Sequence, residues 1–198
     1  LWMFEACARE IPALQALGVQ RVSVNLSTRD LLDLELPQRL QQILQRQGVT
    51  ATAFCLEITE SAIMDEPQRA LEILETLSAN GFKLSIDDFG TGYSSLAYLK
   101  RLPVDELKID KSFVLAMEQD EDDAKIVRST IDLAHNLGLS VVAEGIENAS
   151  LFDLLRDLGC DEGQGFHMCR PLPAAEMAAF AERWRMARQP QPALVESD

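Results

Sequence analysis

Polar side chains stand at the ends of six successive apolar runs in this chain of 198 residues. They are Asn25, Glu57, Asp87 with Asp88, Lys108, Glu144 and Gln164. Most of them offer carboxylate or amide oxygens, which are hard ligands suited to Mg²⁺ or Mn²⁺ rather than to Zn²⁺. Several carboxylates brought close together would repel one another unless divalent cations neutralised them. These residue types therefore predict a site for hard divalent cations.

The same residues suit chemistry at a phosphate group. Paired divalent ions assist in-line displacement at phosphorus, and a lysine beside them can orient a water or stabilise developing charge. Lys108 is the candidate for that role. Single members of the set have another explanation, because Glu60, Asp88 and Asn148 could each cap a following helix. Helix capping does not explain why all six runs end in such residues, so we favour phosphate chemistry for the set.

Two glycines follow the acidic pair in the segment DDFGTGYSSL, residues 87–96. Gly90 and Gly92 carry no Cβ atom, so this segment can form a loop whose backbone comes close to a ligand. The motifs GxGxxG and GxxxxGK[ST] do not follow any of the runs. The sequence therefore gives no indication of a dinucleotide cofactor or a nucleoside triphosphate.

Strands and helices must alternate to bring these side chains to one place. The strand-like runs are residues 21–26, 53–58, 83–87, 106–109, 140–143 and 162–166. Between them, apolar residues recur at helical spacing, as in 67–79 and 122–137. Repeated βα units predict a parallel sheet or barrel, with active-site residues at the carboxyl ends of its strands. We therefore predict an α/β fold with residues 1–187 as one domain and 188–198 as a disordered tail.

Composition and charge exclude several classes of protein. Hydrophobic residues make up 47% of the chain, which excludes a disordered protein, and no run reaches the ~18 apolar residues of a membrane span. The net charge of −14 argues against binding a nucleic acid polymer. The four cysteines lack zinc-site spacing. Without an export signal they predict a reducing cytoplasm, with Cys55 as a buried, inert thiol.

Six segments together resemble the EAL domain family, the bacterial phosphodiesterases of cyclic-di-GMP. The matching motifs are VSVNLS (22–27), LEITES (56–61), DDFGTGYSSL (87–96), ELKIDKSF (106–113), AEGIE (143–147) and GQGF (163–166). They occur in the order and spacing of the family, across about residues 1–185. The resemblance implies a modified TIM barrel that converts cyclic-di-GMP to linear pGpG with two Mg²⁺ or Mn²⁺ ions. We expect Ca²⁺ to inhibit, because its looser and larger coordination would misplace the water. Because a full barrel needs about 250 residues, we expect about six of its eight strands here.

The metal-ligand roles of the family transfer to this chain position by position. By resemblance, Asn25, Glu57 and Asp87 are ligands of the first metal ion. Asp87 would bridge to the second ion, with Asp88 beside it. Lys108 resembles the lysine that holds the attacking water.

Further roles also come from the resemblance alone. Glu144 resembles an essential acid near the second metal ion, and Gln164 resembles a glutamine that faces the substrate. Glu60 resembles an acid that holds the loop containing Gly90 and Gly92, and thereby couples this loop to catalysis and dimerisation.

The Glu-Ala-Leu tripeptide that names the family does not occur in the chain. In the family it lies on an early strand and supplies a metal ligand, with a phosphate-binding arginine shortly after it. We therefore expect the full domain to be an enzyme and this chain alone to be inactive or weakly active. Two alternatives are an inactive EAL-like domain that senses cyclic-di-GMP and a module that serves only dimerisation. The segment GFHMCRPLP, residues 165–173, also differs from the aromatic-rich segment usual in the family.

The resemblance also implies partners and a location. We expect cyclic-di-GMP as the ligand, a homodimer, and fusion to or regulation by sensory or GGDEF-type modules. The expected location is the cytoplasm, either free or as the cytoplasmic part of a membrane-anchored receptor.

Overall fold

The computed structural model describes residues 1–90 and 96–188. The predicted loop residue Gly92 and nearly all of the predicted tail, residues 189–198, lie outside the described residues. Within the described ranges, no helix has both the length and the apolar character needed to cross a membrane.

Strands and helices alternate along the chain. The strands are β1 (Val22–Leu26), β2 (Phe54–Thr59), β3 (Lys83–Phe89), β4 (Glu106–Ile109), β5 (Ser140–Ala143) and β6 (Glu162–Gly163). The helices are α1 (Trp2–Ala16), α2 (Leu36–Gln47), α3 (Glu60–Asp65), α4 (Pro67–Ala79), α5 (Leu96–Leu99), α6 (Lys111–Ala116), α7 (Glu121–Asn136), α8 (Ala149–Asp157) and α9 (Met177–Arg188). The strands are all parallel and pair in chain order from β1 to β6.

The predicted strands are present, with differences at their ends. β3 continues to Phe89, two residues beyond its predicted end, and β6 has two residues where five were predicted. After β6 the chain turns against the neighbouring loop, and a Cβ atom on Gly165 would lie 2.1 Å from the Ile146 carbonyl oxygen. The short helices α3 and α6 were not predicted. Each follows a strand directly and is capped by the side chain of Thr59 or Asp110.

The sheet is curled so strongly that its first and last strands approach each other. Arg21, just before β1, and Glu162, in β6, form an ion pair with 3.6 Å between Nη2 and Oε1. In a flat sheet of six strands these positions would be about 24 Å apart. The strands therefore form an open half-barrel with helices around it, which confirms the predicted α/β, incomplete TIM-barrel fold.

The two faces of the sheet have opposite character. On the outer face, Leu56, Leu84 and Leu107 are completely buried in the hydrophobic core beneath the helices. On the inner face, the alternate positions include Glu57 and Lys108, which are polar and also buried. Strands of a parallel sheet are usually apolar on both faces. The polar inner face is therefore the part of the fold that stability alone does not require.

Candidate active site

Lys108 lies at the centre of the inner face and contacts three carboxylates. Its Nζ atom is 2.9 Å from Glu57 Oε1, 3.1 Å from Asp87 Oδ1 and 2.6 Å from Glu144 Oε1. The Lys108 side chain is 4% exposed, so water barely screens these contacts. The four residues, which form the Lys108 cluster, come from β2, β3, β4 and the end of β5. The structure thus brings together four of the residues predicted at the strand ends.

The charges of the Lys108 cluster depend on one another. Burial opposes a charged lysine, but hydrogen bonds to Glu144 and Glu57 outweigh it and raise the pKa of Lys108. Burial raises the pKa of Glu144, and the hydrogen bond from Lys108 counteracts this effect. A single permanent cation therefore faces three carboxylates, and an additional cation would be attracted to the cluster.

A bulge in β3 turns two consecutive aspartates toward the site. The pairing of β3 with β4 shifts register between Ile86 and Phe89. Asp87 and Asp88 consequently lie opposite a single residue, Lys108. Asp88 has a φ of 54°, a left-handed conformation that residues other than glycine seldom adopt. In a regular strand, adjacent side chains point to opposite faces, so the bulge allows both carboxylates to serve one site.

Asp87, Asp88 and Glu144 are placed to hold a metal ion. One oxygen atom from each can be chosen so that all three lie within 4.8 Å of one another. These are hard carboxylate donors, the ligand type that suits Mg²⁺ or Mn²⁺. Burial raises the pKa of Asp88, and the nearby charges of Asp87 and Asp110 raise it further, as expected for crowded carboxylates. The donor set therefore fits a divalent cation.

Asn25, another predicted ligand, lies on the edge strand β1. Asn25 in β1 is level with Glu57 in β2, and the Asn25 side chain is exposed. Glu57 is buried and paired with Lys108. The role of Asn25 and Glu57 as ligands of a first metal ion stays a prediction.

Glu60 connects the end of β2 to the loop that follows β3. It is the first residue of α3, it is buried, and its Oε2 atom accepts a hydrogen bond from the Gly90 backbone at 3.4 Å. Gly90 has a φ of 98°, and a Cβ atom there would lie 3.1 Å from the Phe113 ring. The side-chain cap of α3 is Thr59 rather than Glu60. If Glu60 holds the loop that begins at Gly90, this hydrogen bond is the contact through which it does so.

Gln164 follows β6 and lines a cavity that Glu144 of the Lys108 cluster also lines. Its backbone N–H donates to the Ala143 carbonyl at 2.8 Å, and its carbonyl accepts from the Ile146 N–H at 3.1 Å. These bonds extend the pairing of β5 and β6 beyond the strand ends. The cavity has a volume of about 480 Å³, and Glu144 and Gln164 form part of its wall.

Other residues of this cavity were not singled out in the sequence. The wall includes Lys111, Glu147, Phe166 and Arg170. The Arg170 guanidinium lies over the Phe166 ring, 4.7 Å from the ring centroid. Phe166 belongs to the GQGF motif, which was the available signal. Phe166 and Arg170 both fall in residues 165–173, which differ from the segment usual in the family. No contact with a ligand was therefore predicted for them.

The chain matches a protein family and several curated proteins over most of its length. The EAL domain family matches residues 1–171. MucR of Pseudomonas aeruginosa, named a bifunctional diguanylate cyclase/cyclic di-GMP phosphodiesterase, is 45% identical over 158 residues, which are 80% of this chain and 23% of MucR. NbdA of the same species, named a cyclic di-GMP phosphodiesterase, is 38% identical over 191 residues, 96% of this chain and 24% of NbdA. The chain thus spans about a quarter of the length of these curated relatives.

Solved structures show the same fold. The PaMucR phosphodiesterase in complex with c-di-GMP has a TM-score of 0.85 at 41% identity, covering 89% of this chain and 72% of that one. The EAL domain of Mycobacterium smegmatis DcpA has a TM-score of 0.84 at 36% identity, covering 92% of this chain and 83% of that domain. The motifs, the polar interior of the half-barrel and the match over residues 1–171 lead to one conclusion: this chain belongs to the EAL domain family.

Proposed function

We propose that this chain is part of the catalytic domain of a cyclic-di-GMP phosphodiesterase, which opens cyclic-di-GMP to linear pGpG. The observation that carries the proposal is the Lys108 cluster, which shares two carboxylates with the metal-capable group of Asp87, Asp88 and Glu144. The named activities of MucR and NbdA, and the c-di-GMP bound to the PaMucR phosphodiesterase, support the choice of substrate.

Carboxylates of the half-barrel would hold the metal ions. Asp87, Asp88 and Glu144 would hold one ion, and Asn25 with Glu57 would hold another that shares Asp87. Bound Mg²⁺ or Mn²⁺ supplies a water of lowered pKa and neutralises charge on the phosphate. Ca²⁺ is expected to inhibit, because its larger and more variable coordination shell tolerates a looser arrangement of ligands.

Lys108 is the residue that would act on the reacting atoms. Three carboxylates fix its ammonium group before a substrate arrives, so little reorganisation is needed during the reaction. In the hydrolysis, a water oxygen bonds to phosphorus, the bond from phosphorus to the 3′ oxygen breaks, and that oxygen takes up a proton. Lys108 is suited to orient the water and to balance the negative charge that develops on the phosphate.

The cavity beside the cluster would hold a guanine base. The Phe166 ring and the Arg170 guanidinium are flat groups of the kind on which bases stack, at about 1–3 kcal/mol per base. Lys111 and Glu147 supply polar atoms for the base edge. Because Glu144 belongs both to the wall of this cavity and to the Lys108 cluster, a base in the cavity would leave the adjoining phosphate near the cluster.

The wider context belongs to the same proposal. The name of MucR gives two activities, and this chain spans only 23% of MucR. Both facts support fusion to or regulation by sensory or GGDEF-type modules. Homodimerisation and a cytoplasmic location rest on the family resemblance alone.

The test combines a hydrolysis assay with a binding assay. The complete domain, with its Glu-Ala-Leu strand, and this chain alone are each incubated with cyclic-di-GMP and Mg²⁺, and the nucleotides are separated by chromatography. From the complete domain we expect pGpG, which EDTA and Lys108→Ala abolish, while Lys83→Ala, which removes a lysine ion pair at the surface, has no effect. From this chain alone we expect little or no pGpG. A complete domain that binds cyclic-di-GMP without forming product would favour a sensor. If the complete domain neither binds cyclic-di-GMP nor forms product, the proposal is contradicted.

A further inference from the structure

Lys108 occupies the position in which a cation is needed when no metal ion is bound. Its ammonium group donates hydrogen bonds to Glu144 and Glu57, and Asp87 Oδ1 lies 3.1 Å away as an ion pair without a hydrogen bond. In the described part of the chain, the ion pairs of these carboxylates all lead to Lys108. The lysine is therefore the common counter-charge that keeps them close together.

The same carboxylates are needed for a divalent cation. Asp87 and Glu144 contact Lys108, and both also belong to the metal-capable group with Asp88. An incoming dication would approach these oxygens while the lysine ammonium is still beside them. Two cations held by the same carboxylates repel each other, and water screens this repulsion little because the Lys108 side chain is buried.

We infer that Lys108 is the internal counter-ion of the metal-free site, which keeps Glu57, Asp87 and Glu144 in place and competes with an incoming dication for Asp87 and Glu144. The inference rests on the proposed metal site. It concerns how tightly that site binds a dication, not the reaction. Lys108 would thus tune how much metal the site requires, in addition to its role toward water and phosphate.

Calorimetric titration with Mn²⁺ tests the competition. Lys108→Met, which keeps the length of the side chain but removes its charge, should bind Mn²⁺ about tenfold more tightly than the wild type. Lys108→Arg keeps the charge and should retain nearly wild-type affinity. Lys83→Met is the matched control, because Lys83 pairs with Asp105 on the same sheet, away from the cluster, and its loss should leave the affinity unchanged.

The possible results separate the two proposals. If the wild type binds Mn²⁺ and Lys108→Met binds it no more tightly, the competition is wrong while the metal site stands. If neither the wild type nor the variants bind Mn²⁺, the metal site itself is wrong and the inference falls with it.

A measurement on the wild type covers the case in which Lys108→Met fails to fold without metal. In EDTA, the buried ammonium group should give a slowly exchanging ¹⁵Nζ signal, assigned by its absence in Lys108→Arg. We expect this signal to shift or exchange faster as Mg²⁺ saturates the site, because the contacts to Asp87 and Glu144 loosen. A signal that stays unchanged at saturation would overturn the inference.

Discussion

Two glutamates inside the half-barrel are equally buried but have opposite surroundings. Glu57 is 6% exposed and Glu106 is 7% exposed. Glu57 belongs to the Lys108 cluster, with the lysine ammonium 2.9 Å away. Glu106 lies with Cys55 and Ser85, and these three residues form the Glu106 cluster. In this cluster, Cys55 Sγ lies 3.9 Å from Glu106 Oε1.

The two clusters are built from successive inward positions of the same strands. On β2, β3 and β4, each member of the Glu106 cluster comes two residues before a member of the Lys108 cluster. Burial raises the pKa of Glu106, and the Ser85 hydroxyl beside it only partly opposes this. Burial also raises the pKa of Cys55 to about 12, so it remains a thiol. Inside this half-barrel, a charged carboxylate is stabilised where a counter-charge contacts it, as at Glu57, and is destabilised by burial where none does, as at Glu106.

Removing the lysine should have the largest effect on folding. Lys108→Met leaves the buried Glu57 and the half-buried Asp87 and Glu144 without their common cation, so we expect the free energy of unfolding in EDTA to fall by about 3–5 kcal/mol. Urea denaturation measures the loss. Lys83→Met is the control, because Lys83 is 46% exposed and such a pair contributes about 1 kcal/mol or less. Equal losses in the two variants would show that burial does not distinguish these ion pairs.

The Lys108 cluster could be predicted because its signal repeats along the sequence. Glu57, Asp87, Lys108 and Glu144 each stand at or just after the end of an apolar run, and parallel strands bring such ends together. The alternation of strands and helices likewise predicted the parallel sheet. These features were predictable because each depends on the spacing of apolar and polar residues within one βα unit, and the same spacing recurs in the following units.

The Glu106 cluster and the β3 bulge could not be predicted in the same way. Cys55 was expected to be buried, but its contact with Glu106 joins positions 51 residues apart and depends on the curl of the sheet. The bulge depends on how β3 pairs with β4, and the Asp87–Asp88 pair alone does not show that both side chains face one site. The early end of β6 depends on the contact of Gly165 with Ile146, which no local pattern reveals.

Neutralising the other glutamate should stabilise the protein. The pKa of Glu106 is raised in the folded state, so ionisation favours the unfolded chain, and stability from this group falls as pH rises above the ordinary value of 4.5. Glu106→Gln removes this cost. We expect its melting temperature to exceed that of the wild type by a few degrees at pH 8, and by less at pH 5. A variant that is less stable than the wild type at pH 8 would show that the carboxylate has a partner worth more than its burial costs.

The smallest expected effect concerns Arg21, whose positive charge acts on Glu106 without forming an ion pair with it. Arg21 pairs with Glu162 at 3.6 Å, but both side chains are at least 36% exposed, so Arg21→Gln should cost about 0.2–1 kcal/mol at low salt and less at high salt. Arg21 also lowers the pKa of Glu106, against the larger effect of burial. Glu106→Gln should therefore stabilise the Arg21→Gln background slightly more than the wild type. A double-mutant cycle at pH 8 and low salt measures this difference, and strict additivity would show that the Glu106 cluster receives no help from Arg21.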